Sequence, residues 1–368
     1  MGTSIVSANI RARPMRSLAT VLAIGLEVML IMLVVGLTQG MINESARRLG
    51  GIGTDIVLQP PGSSFVLASS TAAMSEKIGD LLQKIDGVQA VAPVMVQLNE
   101  QGGLGLVYGI DLESFNRSTR GFTFLQGTAF QSPYDVIIDD IHANSKKLRV
   151  GDKAKFLNHE FRVSGIFQHG MASRVFLPLR TVQDLTGTPG KVSLMFIKCT
   201  SPDKIPVATQ SIKEKLQGYT TLPLEDFVSQ VSSASSNLVA LRYFLNTVIL
   251  IATIVGFFAI FLAMYTAIME RTREIGILKS LGASKVFVIS IFLKESWLLC
   301  LLGLVAGIAL AYVGRWLLLT LLPNLNVELA LDWMVKAGLI AFVSASLGSL
   351  YPALKAARQD PVEALAYD

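Results

Sequence analysis

Four stretches of this chain are apolar over lengths that constrain them to cross a membrane as helices. Leu18 to Leu37 runs for 20 residues with one charge, Glu27. At about 1.5 Å per residue, such a run spans the roughly 30 Å hydrocarbon layer of a bilayer. Tyr243 to Ile268, Ser296 to Leu322 and Ala337 to Leu354 are the other three, the third being stopped by Pro323. In lipid every backbone N–H and C=O must be satisfied within its own segment, which excludes irregular structure there. The composition agrees: 51% of the residues are hydrophobic and 16% charged, too apolar for a soluble globular chain.

Between the first two runs, from Gln39 to Ser236, no further span occurs, and 19 Lys/Arg stand against 18 Asp/Glu, a balanced aqueous surface. Helical periodicity is predicted for 76–85, 180–185 and 205–216, the first stopping at Gly87. Strands are predicted at 88–98, 104–110, 136–138 and 192–199, with Gly102-Gly103 between the first two. Segments 153–156 and 161–163 flank Leu157 to Glu160 as a hairpin, and Ser-rich 229–236 leads into the next span. This is an α+β domain.

Loop charge sets the topology. Arg11, Arg13 and Arg16 precede the first run, the connection 270–285 is rich in Lys and Arg, and Lys355 and Arg358 follow the last run. The loop 323–332 carries neither residue. The positive-inside rule places the three basic segments in the cytoplasm and both termini with them. The first run is too long for a cleaved leader and reads as a signal anchor. The fold class is therefore an α-helical membrane protein with four transmembrane helices plus a large α+β extracytoplasmic (periplasmic) domain between helices 1 and 2. Its parts are an N-terminal segment at 1–17, spans at 18–38, 237–269, 289–322 and 333–354, the domain at 39–236, a cytoplasmic helix at 270–288, a short external loop at 323–332 and a tail at 355–368. Lys294, Glu295 and Arg315 are expected near the interfaces, with Trp297 and Trp316 in the aromatic belts.

The residues that carry chemistry are few. No phosphate-binding G-x-x-x-x-G-K-[ST], H-E-x-x-H, C-x-x-C or G-x-S-x-G occurs, and His142, His159 and His169 have no ligand spacing among themselves. Cys199 and Cys300 lie in a polar and an apolar context and are expected as inert thiols. No basic cluster interleaved with aromatics points to nucleic acid. No catalytic, metal or cofactor-binding residue is assigned. One carboxyl stands out: Glu27, inside a span, is a substrate-contact or gating candidate, with Met29 and Met32 beside it as soft contacts. The alternative is a neutral carboxyl, or one paired with Thr247 or Thr253, the methionines then being packing.

The connection Glu270 to Lys285 is the second feature. Ile275, Leu278 and Leu281 recur every three residues and form a narrow apolar stripe on a helix. Glu270 with Arg273, and Arg271 with Glu274, are spaced as i,i+3 ion pairs, and Gly282 is a stop. Such a helix, hung between two spans, reads as a docking element for a soluble partner.

These residues resemble a known family. Glu270-Arg271-Thr272-Arg273-Glu274-Ile275-Gly276-Ile277-Leu278-Lys279-Ser280-Leu281-Gly282-Ala283 is similar to the E-R-x-x-E-I-G-x-x-x-A-L-G-A signature of the MacB-type (FtsX-like) permeases of ABC transporters, with Ser280 where Ala is usual. The run from Tyr351 to Leu365 resembles that family's P-A-x-x-A-A-x-x-D-P-x-x-A-L ending, Asn9 to Ser17 its entry segment, and Leu148 to Asp152 a turn of its external domain. The resemblance implies that the connection is a coupling helix docking on a separate ATP-binding subunit through Glu270, Arg271, Arg273, Glu274, Ile275, Gly276, Leu278, Lys279, Leu281 and Gly282. It further implies two copies of that ATPase carrying ATP and Mg, a second permease copy as a homodimer, and an inner-membrane location. The work implied is extrusion of a hydrophobic or amphiphilic substrate by mechanotransmission, with a periplasmic adaptor (membrane fusion protein). Lipoprotein release or control of cell-wall hydrolases are sister readings. A membrane sensor signalling to a cytoplasmic kinase is the reading from another class; an ion-coupled transporter is disfavoured by the lone intramembrane acid.

Overall fold

The computed structural model describes residues 14–63, 73–99 and 105–360. Arg11 and Arg13, the Gly102-Gly103 turn and the ending from Pro361 to Leu365 lie outside the described residues. The chain divides into two compact units. One gathers Met41–Leu238 with Leu322–Asn324, and the other holds the apolar helices.

Helix α1 (Pro14–Gly50) contains the first apolar run and continues well beyond residue 38, where the hydropathy ends. The extension is polar but helix-forming. A Glu44–Arg47 pair at 3.5 Å joins successive turns, and Arg47 and Arg48 sit in the last turn, where cations suit the carbonyl end of the helix. Hydropathy marks only the lipid-matched part of such a helix.

The domain then lays down β1 (Ile56–Gln59), β2 (Met74–Ser75), α2 (Ile78–Leu82), β3 (Val88–Asn99), β4 (Gly105–Ile110), α3 (Leu112–Ser118), β5 (Phe124–Gly127), β6 (Asp135–Asp139) and α4 (Asp140–Lys146). It continues through β7 (Lys153–Phe156), β8 (His159–Phe167), β9 (Val175–Pro178), α5 (Leu179–Leu185), β10 (Lys191–Val192), β11 (Leu194–Cys199), α6 (Ile205–Lys215), β12 (Thr220–Pro223) and α7 (Leu224–Ser236). The main sheet orders β12-β1-β11-β3-β4-β9-β6-β8-β5, with β7 also on β8; β4–β9 and β6–β8 are parallel and the other pairs antiparallel. Alternate residues feed two separate cores. In β11, Met195 and Ile197 enter one cluster and Leu194 and Phe196 the other; in β6, Val136 and Ile138 oppose Ile137. A sheet covered on both faces explains why these strands read as continuous apolar runs without alternation. The second core is aromatic, with Phe122 packed edge-on against Phe167 and Phe176. Leu157 and Asn158, both at positive φ, close the β7–β8 hairpin as a two-residue turn. The Ser-rich 229–236 stretch is not a linker: it completes amphipathic α7, with Phe227 and Val231 buried.

The membrane unit consists of the first part of α1, then α8 (Val239–Glu270), α9 (Thr272–Ser280), α10 (Lys285–Leu321) and α11 (Leu331–Arg358). Helices α1, α8, α10 and α11 are each long and apolar enough to cross a membrane, so the chain is a multi-pass membrane protein. Close packing uses small residues, as expected where lipid offers no hydrophobic drive between helices. Gly303 meets Ile24, Gly307 meets the Gly25 carbonyl and Val28, and Gly348 meets the Phe257 carbonyl. Glu295 is buried in the bundle, next in sequence to Ser296, whose hydroxyl pairs with that of Ser349 at 3.0 Å.

Candidate functional site

The connection between α8 and α10 breaks once and then forms a short helix. Arg271 leaves helical geometry (φ −120°, ψ 20°), which ends α8 at Glu270 and starts α9 at Thr272. The break separates Glu270 from Arg273, so the expected i,i+3 pair on one helix does not arise. Glu270 instead accepts from Arg16 of α1 at 2.7 Å. At the other end Gly282 takes φ +94°. The Gly282 N–H donates to the Lys279 carbonyl and the Ala283 N–H to the Leu278 carbonyl, each at 3.0 Å, which closes α9 as a Schellman cap. The stop read at Gly282 is a specific backbone conformation that a side chain would strain.

The apolar stripe is split: Ile275 faces inward, Leu278 partly so, and Leu281 is exposed. Ile275 is 4% exposed and belongs to the bundle's cluster with Ala353, Ala356 and Ala357 of α11, and Gly276 is buried beside it. Leu278 is half-buried. The physical reason is that a short amphipathic helix next to an apolar bundle buries its own stripe there first. Of the expected contact set, Ile275 and Gly276 are therefore buried against the chain's own bundle, and Leu278 partly so. Lys279 is engaged too: its Nζ donates to the carbonyls of Ala357, at 3.0 Å, and Gln359. What α9 leaves open is Arg273 and Glu274 with Ile277 at 44% and Leu281 at 80% exposure. Arg16 and the end of α11 were missed as parts of this site, because both lie far away in sequence.

Glu27 lies in α1, 4% exposed, and neither carboxyl oxygen has a hydrogen-bond partner among the described residues. The expected pairing does not form: Thr253 donates to the Ile249 carbonyl at 2.8 Å and Thr247 is exposed. The carboxyl packs instead against Gly256 of α8, where an added Cβ would stand 1.7 Å from Oε2. Met32 is buried in the same cluster and Met29 lies half-buried against it. Gly256 was not singled out from the sequence; an isolated Gly inside an apolar run carries no signal of what approaches it.

The domain holds an ionic cluster of its own. Arg174 lies 4.0 Å from Glu44 and donates to Asn324, through the side-chain oxygen at 3.1 Å and the carbonyl at 3.3 Å. Burial pushes the Asp139 carboxyl up to about 6, although the His142 N–H, Arg174 and Arg48 draw it down. Burial also lowers His142 to about 4, which keeps it neutral, and raises the enclosed Tyr108 hydroxyl, which has no hydrogen-bond partner among the described residues. Cys199 and Cys300 are free and buried, and burial pushes the Cys199 thiol up to about 11, leaving it inert. No group of three or more His, Cys, Asp or Glu gathers as a metal site among the described residues.

Comparison with known proteins adds the following. Residues 246–361 match the family described as FtsX-like permease C-terminal, and residues 17–215 match the MacB-like periplasmic core domain. The macrolide export ATP-binding/permease protein MacB of Aggregatibacter actinomycetemcomitans is 26% identical over 82% of this chain and 50% of its own length. The uncharacterized ABC transporter permease YknZ of Bacillus subtilis strain 168 is 26% identical over 98% of this chain and 97% of its own length. This chain thus spans half the length of that MacB relative and nearly all of YknZ. Among solved structures, the extracellular domain of the transporter YknZ from Gram-positive bacteria aligns at 19% identity and TM-score 0.37, over 46% of this chain and 99% of that one.

Proposed function

The chain belongs to the MacB-type, FtsX-like permease family of ABC transporters, and from that premise we propose that it is a permease subunit driven by separate ATP-binding subunits. The observation that carries the reading is α9, a short capped helix between two spans, fixed to the bundle on one face and offering Arg273, Glu274, Ile277 and Leu281 on the other. Two ATP-binding subunits, which hold the ATP and Mg, dock on that open face in the cytoplasm, one per copy of a permease homodimer. Both termini share that side of a bacterial inner membrane.

ATP binding closes the subunits together and displaces α9. A stiff helix with a closed cap passes that displacement on rather than bending, and the external domain changes shape. The substrate is hydrophobic or amphiphilic and is extruded on the domain's side, together with an adaptor. Glu27 serves as an intramembrane gating contact: its carboxyl is held by packing against Gly256 and not by hydrogen bonds, so relative motion of α1 and α8 changes its surroundings directly.

Co-expression with an ABC ATP-binding subunit from the same genome tests the reading. It predicts a detergent-stable complex whose ATP hydrolysis depends on the permease. Recovery with a histidine kinase and no ATP-binding subunit would favour a sensor instead.

A further inference from the structure

We propose that Lys279 is a positioning residue that ties the docking helix α9 to the end of the fourth membrane helix, α11, so that displacement of α9 is delivered to that helix. The proposal rests on the reading of α9 as the docking element. Lys279 falls within the signature segment expected to meet a partner, but its ammonium points back into its own chain. Nζ donates to the carbonyl of Ala357 at 3.0 Å and to that of Gln359.

Those carbonyls close a helix. Helix α11 ends at Arg358 with Gln359 as its cap residue, and the last carbonyls of a helix have no partner within it. A cation there meets both the free acceptors and the negative end of the helix dipole. Lys355, in the last turn of α11, is engaged elsewhere: it reaches Tyr265 of α8 at 3.1 Å. The acceptors are left to a residue from another helix.

A second contact makes the link a lever and not a hinge. Ile275, one turn earlier on α9, enters the apolar cluster that contains Ala353, Ala356 and Ala357. Ile275 thus anchors α9 in the bundle and, one turn on, Lys279 bonds it to the end of α11. With Ile275 alone α9 can pivot about that side chain. With the Lys279 bonds as well, its movement is coupled to the end of α11. The Arg16–Glu270 pair at the far end is partly exposed on both sides, at 20% and 36%, and is a weaker tether.

The test uses the full chain with Cys199→Ser and Cys300→Ser, an environment-sensitive fluorophore on Leu331→Cys at the start of α11, and a co-purified ATP-binding subunit. Leu331 is 78% exposed and tolerates the label. Lys279→Met is expected to retain the ATP-binding subunit at wild-type yield while losing the ATP-dependent fluorescence change at position 331; Lys279→Arg is expected to restore it. Lys279→Gln, read in the same way, replaces the Met variant if that is not recovered folded. An ATP response in Lys279→Met equal to wild type overturns the proposal. Loss of subunit binding also overturns it, because Lys279 is then a docking contact. A wild-type chain that binds no ATP-binding subunit refutes the functional reading itself, and is seen in the control before any variant.

Discussion

Replacing Gly256 with Ala probes the contact that places Glu27. The new Cβ would stand 1.7 Å from Oε2 and 2.4 Å from the carboxyl carbon. Ordinary contact needs about 3.5 Å, so the carboxyl or the helix must move by roughly 1.8 Å. A carboxyl at the end of a flexible side chain can rotate away where there is room, but Glu27 is 4% exposed and lies among buried Ile24, Val28 and Ile31. The expected cost is that of an overpacked core, about 1–3 kcal/mol. Thermal unfolding in detergent, read by a thiol-reactive dye, measures it, since both cysteines are free and buried until the chain opens. Glu27→Ala removes the colliding atoms, so Gly256→Ala in that background is expected to cost little, with a coupling near the whole single-variant effect. Glu27→Gln keeps the shape and is expected to give no relief. Additivity of Gly256→Ala and Glu27→Ala to within about 0.5 kcal/mol would refute the packing argument.

Two further outcomes follow in the domain. Asp135 is fully buried and accepts from the N–H groups of Gln131 and Ser132 and from Arg162. Burial alone would raise its carboxyl, but those donors outweigh it and hold the group below the usual range. Its stabilisation is therefore present above the ordinary carboxylate pKa and lost as pH falls through the lower folded value. Asp135→Asn is expected to cost about 1–3 kcal/mol at neutral pH and to flatten the acid limb of the domain's unfolding profile. Asp139 works in the opposite sense. Raised to about 6 by burial, it favours folding most fully below its ordinary unfolded pKa of about 4, and that contribution is lost as pH rises through about 6. Asp139→Asn is expected to remove this component from a melting series between pH 4 and pH 7, leaving the Asp135 limb in place.

The spans were legible because twenty apolar residues have few other uses, and the α9 stop because Gly282 supplies a conformation other residues resist. The β7–β8 hairpin was legible, but its expected turn at 157–160 is shorter in the fold: Leu157 and Asn158 make it, and His159 and Glu160 already pair within β8. Helix ends were less so. Helix α1 continues to Gly50 on side chains that a hydropathy reading treats as soluble, and α7 hides in a Ser-rich run. Short buried strands such as β9, four residues long, offer too little pattern against a sheet covered on both faces. In the site, the periodicity of Ile275, Leu278 and Leu281 located a stripe but not the surface it meets. The chain's own bundle took Ile275 and part of Leu278, and left Leu281 exposed. Gly256 and the carbonyls taken by Lys279 lie far off in sequence, and proximity of that kind is written only in the fold.

The central claim is that α9 docks through its open face and is held by its buried one. Co-purification of the ATP-binding subunit with Leu281→Asp, Ile277→Asp and Ile275→Asp tests it most directly. Leu281 at 80% and Ile277 at 44% exposure predict chains that fold with wild-type thiol protection yet lose the subunit. Ile275, at 4%, predicts a chain whose thermal transition is strongly lowered, because introducing an unpaired carboxylate in place of a packed apolar side chain is costly. A Leu281→Asp chain that keeps its subunit at wild-type yield, beside an Ile275→Asp chain that folds normally but loses it, would contradict the account.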